Sequence, residues 1–455
     1  MPIGIESITA DQVAIVLAKR EGHFFDAKAK EIAPSKLTRH IAALANADGG
    51  ELYVGLAEND EHFEWNGFGS IEAANAHLQV FENLFPLGMD FQCAFLECEG
   101  YPGLVLQITI AKTQDVKRAN DGKLYLRRGA QSLPVDEGDG LRRLQYAKGV
   151  SSFETERTAI EAEEISNTTP VIDFMINVVP SAEPSAWLKK QQLVRDGNAT
   201  VAGVLMFSEE PQAILPKRCG IKVYRYKTKE EASRQTLAFD PLTIEGWSYK
   251  QIHDAVQKTI EVIEDIPRLG EAALERIRYP SETLHEIITN AVLHRDYSIA
   301  DDVHIRIFDN RVEVQSPGRL PAHVTVENIL EERFQRNAAL VRILNKFPNP
   351  PNKDVGEGLN TAFEAMTNLG LKPPTIQELE NAVLVMIRHE PLASPEQAIL
   401  DYLAHNDWIK NADARRITHI QQPHKINNIF REMESRGLIE RKDGSNTSGR
   451  AYTLP

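Results

Sequence analysis

The chain reads as an α/β multidomain protein, and three observations lead there. Its 455 residues give room for about three domains of ordinary size. Hydrophobic residues make up 42% and charged residues 25%, the balance of a chain that folds around cores. Strand-like apolar runs alternate with helix-period segments for most of its length, and a helix-rich end begins near Ala393. The first residues lack a basic stretch followed by an apolar one, and no apolar run is long enough for a bilayer. Three scattered cysteines, Cys93, Cys98 and Cys219, suit neither a disulfide framework nor a zinc cage, so a reducing cytoplasm is the expected setting. A net charge of −14 excludes a globally basic coat for nucleic acid, although 112–128 and the stretch after Ala414 are locally basic.

Residues 1–150 form the first α/β unit. Thr9 to Lys19 carries helix spacing with Asp11 early, and Phe24 to Lys28 is a short strand. Pro34 to Ala47 is amphipathic and stops at Asp48-Gly49-Gly50, where two glycines permit a left-handed cap and a sharp turn. Leu52 to Leu56, Ala94 to Leu96 and Leu104 to Ile110 follow as strands, and Lys123 to Gly129 is a last strand carrying Arg127 and Arg128. A guanidinium fork matches phosphate oxygens, so this arginine pair is a candidate nucleic-acid contact; a solvated strand edge is the plainer alternative. Glu21, Asp26 and Lys28 are spaced for a metal-dependent nuclease, with Glu51 or Glu58 as a further carboxylate. Acidic residues beside lysines are equally ordinary on a surface.

Residues 151–184 turn Ser-, Thr- and Glu-rich and read as a linker with one helix, Val171 to Val178. In 185–392, Leu188 to Leu193 reads as a short helix, Ala202 to Phe207 and Gly220 to Tyr226 as buried strands, and Trp247 to Ile263 as a long helix. Next comes Tyr279 to Tyr297, in which Pro280 and Ser281 precede an apolar-periodic run. Glu286 and Asn290 lie four apart there and share one helix face. A carboxylate and a carboxamide so placed can hold a metal ion and a water between them, while a solvated face carrying Glu and Asn fits the spacing too. Strands Val303 to Phe308 and Arg311 to Val314 flank an Asp309-Asn310 turn. In 393–455, helices at Glu396 to Leu403, Asn411 to Ile417 and Pro423 to Arg436 precede a strand, a polar tip and Ala451 to Leu454.

Phe25-Asp26-Ala27-Lys28, the Ala45-Asn46-Ala47-Asp48-Gly49-Gly50 block and Leu124-Tyr125-Leu126-Arg127-Arg128-Gly129 resemble the Schlafen AlbA-type domain, with Asp26 where that family usually has Glu. The resemblance implies nucleic-acid binding, and some Schlafen members are RNases. Glu286-x-x-x-Asn290, two strands, Ser316-Pro317-Gly318, Arg336-Asn337 and Gly356-Glu357-Gly358 resemble the GHKL ATPase fold, in its divergent form found in bacterial AlbA-type proteins labelled transcriptional regulators or RecG-like. That resemblance implies an α/β sandwich binding ATP and Mg²⁺. Glu286 would be the base that activates water and Asn290 the Mg²⁺ ligand. Asn337, Gly318, Gly356 and Gly358 would complete the nucleotide site. Ser316 stands where the family has an aspartate that reads adenine, and Asp309 or Asp296 is a candidate substitute. The last region resembles a winged helix-turn-helix, which implies that Lys425, Asn428 and Arg431 face a DNA groove and Arg450 lies on the wing.

Together these imply an ATP-responsive nucleic-acid-binding regulator, homo-oligomeric, acting on DNA with RNA as the other target. In it, bound nucleotide sets the arrangement of the flanking modules. The alternative is an ATP-gated metal-dependent nuclease, as in phage defence. No Gly-x-x-x-x-Gly-Lys-[Ser/Thr] loop occurs, so a helicase motor is not supported.

Overall fold

The computed structural model describes residues 4–59, 62–86, 89–269, 274–276, 279–321, 323–332, 334–351, 358–389, 395–418, 420, 422–442 and 451–455. Gly356 and Arg450, both candidate site residues, lie outside them.

The N-terminal unit is a five-stranded mixed sheet of β1 (Ile5–Ser7), β2 (Phe25–Lys28), β3 (Gly50–Val54), β4 (Phe91–Glu97) and β5 (Val105–Ile110), in the order β1-β4-β5-β3-β2. Helix α1 (Ala10–Ala18) starts in a capping box, in which Thr9 and Gln12 each bond the other's backbone. Helix α2 (Pro34–Asn46) has proline at its first turn and buries Leu37, Ile41 and Leu44. The turn into β3 is tight on both sides. A Cβ on Gly49 would lie 2.4 Å from the Ile110 carbonyl oxygen, and one on Gly50 2.6 Å from that of Phe24. Both have positive φ, 78° and 144°, so no larger residue fits the block. Asn46 is a clamp: its amide donates to the carbonyls of Lys117 and Tyr125 and accepts from the Lys117 N–H. It thereby fixes the hairpin of β6 (Leu124–Arg128) and β7 (Gln131–Val135) against α2, and α4 (Asp139–Lys148) follows α3 (Asn75–Leu84) to end the unit.

The central unit is a six-stranded sheet of β8 (Ile221–Arg225), β9 (Leu242–Ile244), β10 (Val303–Ile307), β11 (Arg311–Pro317), β12 (Thr375–Glu378) and β13 (Ala382–Arg388), in the order β9-β8-β10-β11-β13-β12. Only β8 and β10 pair in parallel. Its core also takes in Ile165, Val171, Phe174 and Met175 from 151–184, so the stretch read as a linker packs into this unit. That stretch holds α5 (Thr169–Val178), and α6 (Pro184–Lys190) comes next.

One element differs in kind from the sequence reading. Val201–Phe207 is a helix, α7, where a buried strand is predicted. Thr200 caps it by accepting from the Gly203 N–H. All seven residues are buried, and an all-apolar run has no polar face to reveal its period. Helices α8 (Ser248–Glu264), α9 (Ser281–Leu293), α10 (Ala338–Leu344) and α11 (Gly358–Asn368) complete the unit.

The C-terminal unit has its own core of Ile399, Ile409, Ile426, Phe430, Met433 and Tyr452. It comprises α12 (Pro395–Leu403), α13 (Asn411–Thr418) and α14 (Pro423–Ser435), with β14 (Ile409–Lys410), β15 (Glu440–Arg441) and β16 (Ala451–Thr453) in the order β14-β16-β15.

Candidate nucleotide-binding site and the N-terminal ionic network

Helix α9 buries Leu284, Ile287, Ile288, Ala291 and Val292, and the same helical period turns Glu286 and Asn290 toward a cleft of about 410 Å³. The Asn290 amide donates to Glu286 Oε1 at 2.9 Å. That bond leaves the amide oxygen and the second carboxylate oxygen unengaged among the described residues. Burial raises the Glu286 pKa, against the lowering effect of the Asn290 bond. Gly358, the first residue of α11, presses on this pair: a Cβ there would sit 1.9 Å from Glu286 Oε1. The cleft floor is apolar, with Val314, Val383, Val385 and Ile376 from the sheet. Ser316 and Gly318 line it as well, and the Ser316 hydroxyl donates to the Ala291 carbonyl at 2.7 Å. His294 lies in the wall, and burial together with the nearby Arg336 charge lowers its pKa to about 4. It is therefore a neutral imidazole at physiological pH.

Two expected nucleotide contacts are placed elsewhere. Asp309 sits in the β10–β11 turn, at the far end of β11 from Ser316, and its carboxylate pairs with Arg225. Asn337 is 1% exposed and donates to the carbonyls of Leu293 and Arg295, closing the end of α9. Neither lines the cleft. The sequence shows that both can hydrogen-bond but not in which direction. Arg319, Leu320, Phe334 and Gln335 line the cleft and were not anticipated; the adjacency of Arg319 to the Ser-Pro-Gly turn is the one signal that could have found it.

In the N-terminal unit Asp26 is fully buried and fully engaged. Lys28 reaches its Oδ1 at 2.5 Å, while His40 and Arg127 reach Oδ2 at 2.7 and 3.0 Å. Glu21 bonds the same Lys28 ammonium at 2.5 Å. Burial alone would raise the Asp26 pKa, but bonds from His40 and Glu21 and the Lys28 charge hold it well below the carboxylate range. Glu21 moves the other way, raised by burial and by its bond with Asp26. Lys28 thus stands between the two carboxylates where a metal would be required. Among the described residues no three His, Cys, Asp or Glu side chains converge on a metal position. Arg127, expected at a phosphate, is 1% exposed, and its other bonds go to the carbonyls of Gly22 and Phe25 and to the Ser132 hydroxyl, so it braces the interior of the unit. Arg128 is exposed. His40 was missed because nothing in its spacing from Asp26 marks it.

On α14, Ile426, Phe430 and Met433 face the core, leaving Lys425, Asn428 and Arg431 exposed. Among the described residues no helix is long and apolar enough to cross a membrane.

The arrangement is an apolar cleft on an α/β sheet beside a second α/β unit, and the family comparisons fall on the same two units. The Schlafen, AlbA_2 family model matches residues 21–136. The HATPase_c_4 model, described as ATP-dependent DNA helicase recG C-terminal, matches residues 300–387. The chain therefore carries a Schlafen AlbA-type domain and a RecG C-terminal-type HATPase domain, and these domain types associate it with ATP and nucleic acid. Ser316, Gly318 and Gly358 fall within the second match, while Glu286 and Asn290 precede it. No curated protein matches. Among solved structures, that of the DIP2311 protein from Corynebacterium diphtheriae aligns over 98% of this chain and 96% of its own, at 18% identity and a TM-score of 0.44.

Proposed function

We propose that the protein is an ATP-responsive nucleic-acid-binding regulator, acting as a homo-oligomer on DNA. The observation that carries this reading is the Glu286–Asn290 pair at the mouth of the apolar cleft, with Gly358 against its carboxylate. The Asn290 amide oxygen, unengaged among the described residues, suits Mg²⁺, which binds through few protein ligands and otherwise through phosphate and water. When bound, that ion would neutralise phosphate charge. Glu286, made more basic by burial, is suited to take the proton of an attacking water. The N-terminus of α11 beside the pair would favour phosphate. Ser316 replaces a carboxylate but keeps its sense: with its proton directed to the Ala291 carbonyl, it offers only lone pairs to the cleft. In that orientation it accepts from the 6-amino group of adenine, and donating to a 6-oxo group would require giving up the Ala291 bond.

The C-terminal unit supports a winged-helix reading, with α14 as the groove helix and Lys425, Asn428 and Arg431 as its contacts. Residues 1–150, 151–184, 185–392 and 393–455 are taken as the functional divisions, with 151–184 built onto the central unit. A metal-dependent nuclease at Glu21 and Asp26 is less well supported, because Lys28 already holds both carboxylates.

Calorimetric titration with ATP, ADP and GTP in Mg²⁺ tests the proposal. ATP should bind, GTP should bind at least tenfold more weakly, and Asn290→Ala should lose binding. If the intact chain takes up no ATP, the proposal fails.

A further inference from the structure

Three residues of the cleft rim rest on the N-terminal unit, Arg319 and Phe334 by their side chains and Leu320 by its backbone carbonyl. Arg319 donates to Asp48 Oδ2 at 2.6 Å and to Glu378 Oε1 at 3.1 Å. The Leu320 carbonyl accepts from the Lys112 ammonium at 2.9 Å, and its N–H donates to Glu378 Oε1 at 2.9 Å. Lys112 also lies 3.4 Å from Asp48 and 3.8 Å from Glu378, so two acids and two bases from two units close a neutral four-membered cluster. The third contact is apolar. The Phe334 ring lies against Gly149, the residue that ends α4, so closely that a Cβ there would sit 2.0 Å from the ring's Cζ. Arg319, Leu320 and Phe334 all line the cleft, and Asp48, Lys112 and Gly149 all belong to the N-terminal unit.

The Asp48 carboxylate is 8% exposed and also bonds His23 Nε2 at 2.6 Å. His23 directly precedes Phe24, whose carbonyl packs on Gly50. The acid thus bridges the β2–β3 edge of the N-terminal unit and the rim of the cleft. Burial alone would raise its pKa; the bond from His23 and the charges of Arg319 and Lys112 hold it low, so it stays an anion.

We infer that the N-terminal domain is a working wall of the nucleotide cleft, with Asp48 as the positioning residue that fixes Arg319 and the rim. This rests on the nucleotide reading above. A rim pre-set by Asp48 loses less conformational freedom on binding than a free one, so removing the acid weakens nucleotide binding.

The experiment is titration of the full-length chain with a non-hydrolysable ATP analogue and Mg²⁺. Asp48→Asn keeps the shape and removes the charge, and should weaken binding at least fivefold. Lys112→Met, outside the cleft, should act in the same direction. In an Arg319→Gln background Asp48→Asn should add less than twofold, because the acid works through that arginine. Thermal unfolding of each variant checks folding, and Lys112→Met serves as the readout if Asp48→Asn unfolds. No binding by the wild type overturns the nucleotide reading along with this one. Wild-type binding that both single variants leave within twofold, or that they strengthen, overturns the shared-wall inference alone.

Discussion

Burial on one side and an amide on the other set how Glu286 behaves. Its pKa lies above the ordinary 4.5, so the active, ionised base is lost at a higher pH than a surface glutamate would lose it. If ATP is turned over, the acid limb of the pH–rate profile should fall above pH 4.5, and Glu286→Gln should abolish turnover while leaving the nucleotide Kd within about threefold. Gly358→Ala should do more: its methyl must displace the carboxylate, so both turnover and affinity fall, by about tenfold or more in kcat. Asp26 is a stability residue. Its folded pKa is depressed, so its contribution is full above the unfolded value of about 3.9 and is lost only as pH falls through the lower folded value. Asp26→Asn would leave Arg127 buried without its counter-ion, so chemical denaturation at pH 7 should show a loss of about 3 kcal/mol or more. Glu286 and Asn290 were legible because a spacing of four fixes a shared helix face. The inward partners of Arg127 and Asn337 were not legible, because residue type gives donors and acceptors while their direction depends on partners 101 and 44 positions away in sequence.

At the scale of elements, α7 shows where periodicity fails. Strand and helix both satisfy an all-buried run, and the decision rested with Thr200, whose hydroxyl accepts from Gly203 and donates to the Leu193 carbonyl. Thr200→Ala removes the cap and leaves that buried carbonyl with one fewer donor. The expected cost is about 1–2 kcal/mol, read as a lower urea midpoint with an unchanged m-value. Helices α1, α2, α8 and α9 were legible because each has one face to bury, whereas Asn75–Leu84 and Asp139–Lys148 were not read as helices. The 151–184 stretch hid its role differently. Its polar composition was visible, but the apolar residues within it, Ile165, Val171, Phe174 and Met175 among them, gain meaning only against a core built from later sequence.

At the scale of the molecule, the sign of the whole charge and the sign of a surface diverge. A chain of net charge −14 repels DNA at long range, yet at about 0.1 M salt that repulsion is screened beyond roughly 10 Å. What remains is the charge within reach of the phosphates, and on α14 that is Lys425 and Arg431, both exposed. Each direct phosphate contact releases counter-ions and contributes about 0.9 to the steepness of log K against log salt on duplex DNA. Removing both side chains in Lys425→Ala/Arg431→Ala should therefore flatten the slope by about 2 and weaken binding several-fold at low salt. The comparison that separates contact from net charge is Lys189→Ala/Lys190→Ala, an exposed pair on α6 whose loss changes the total charge equally. Fluorescence anisotropy with a labelled duplex across a salt series reads both slopes. A flattened slope in the first pair and an unchanged one in the second places the phosphates at α14. Equal small changes in both would mean that α14 faces something other than a nucleic-acid backbone.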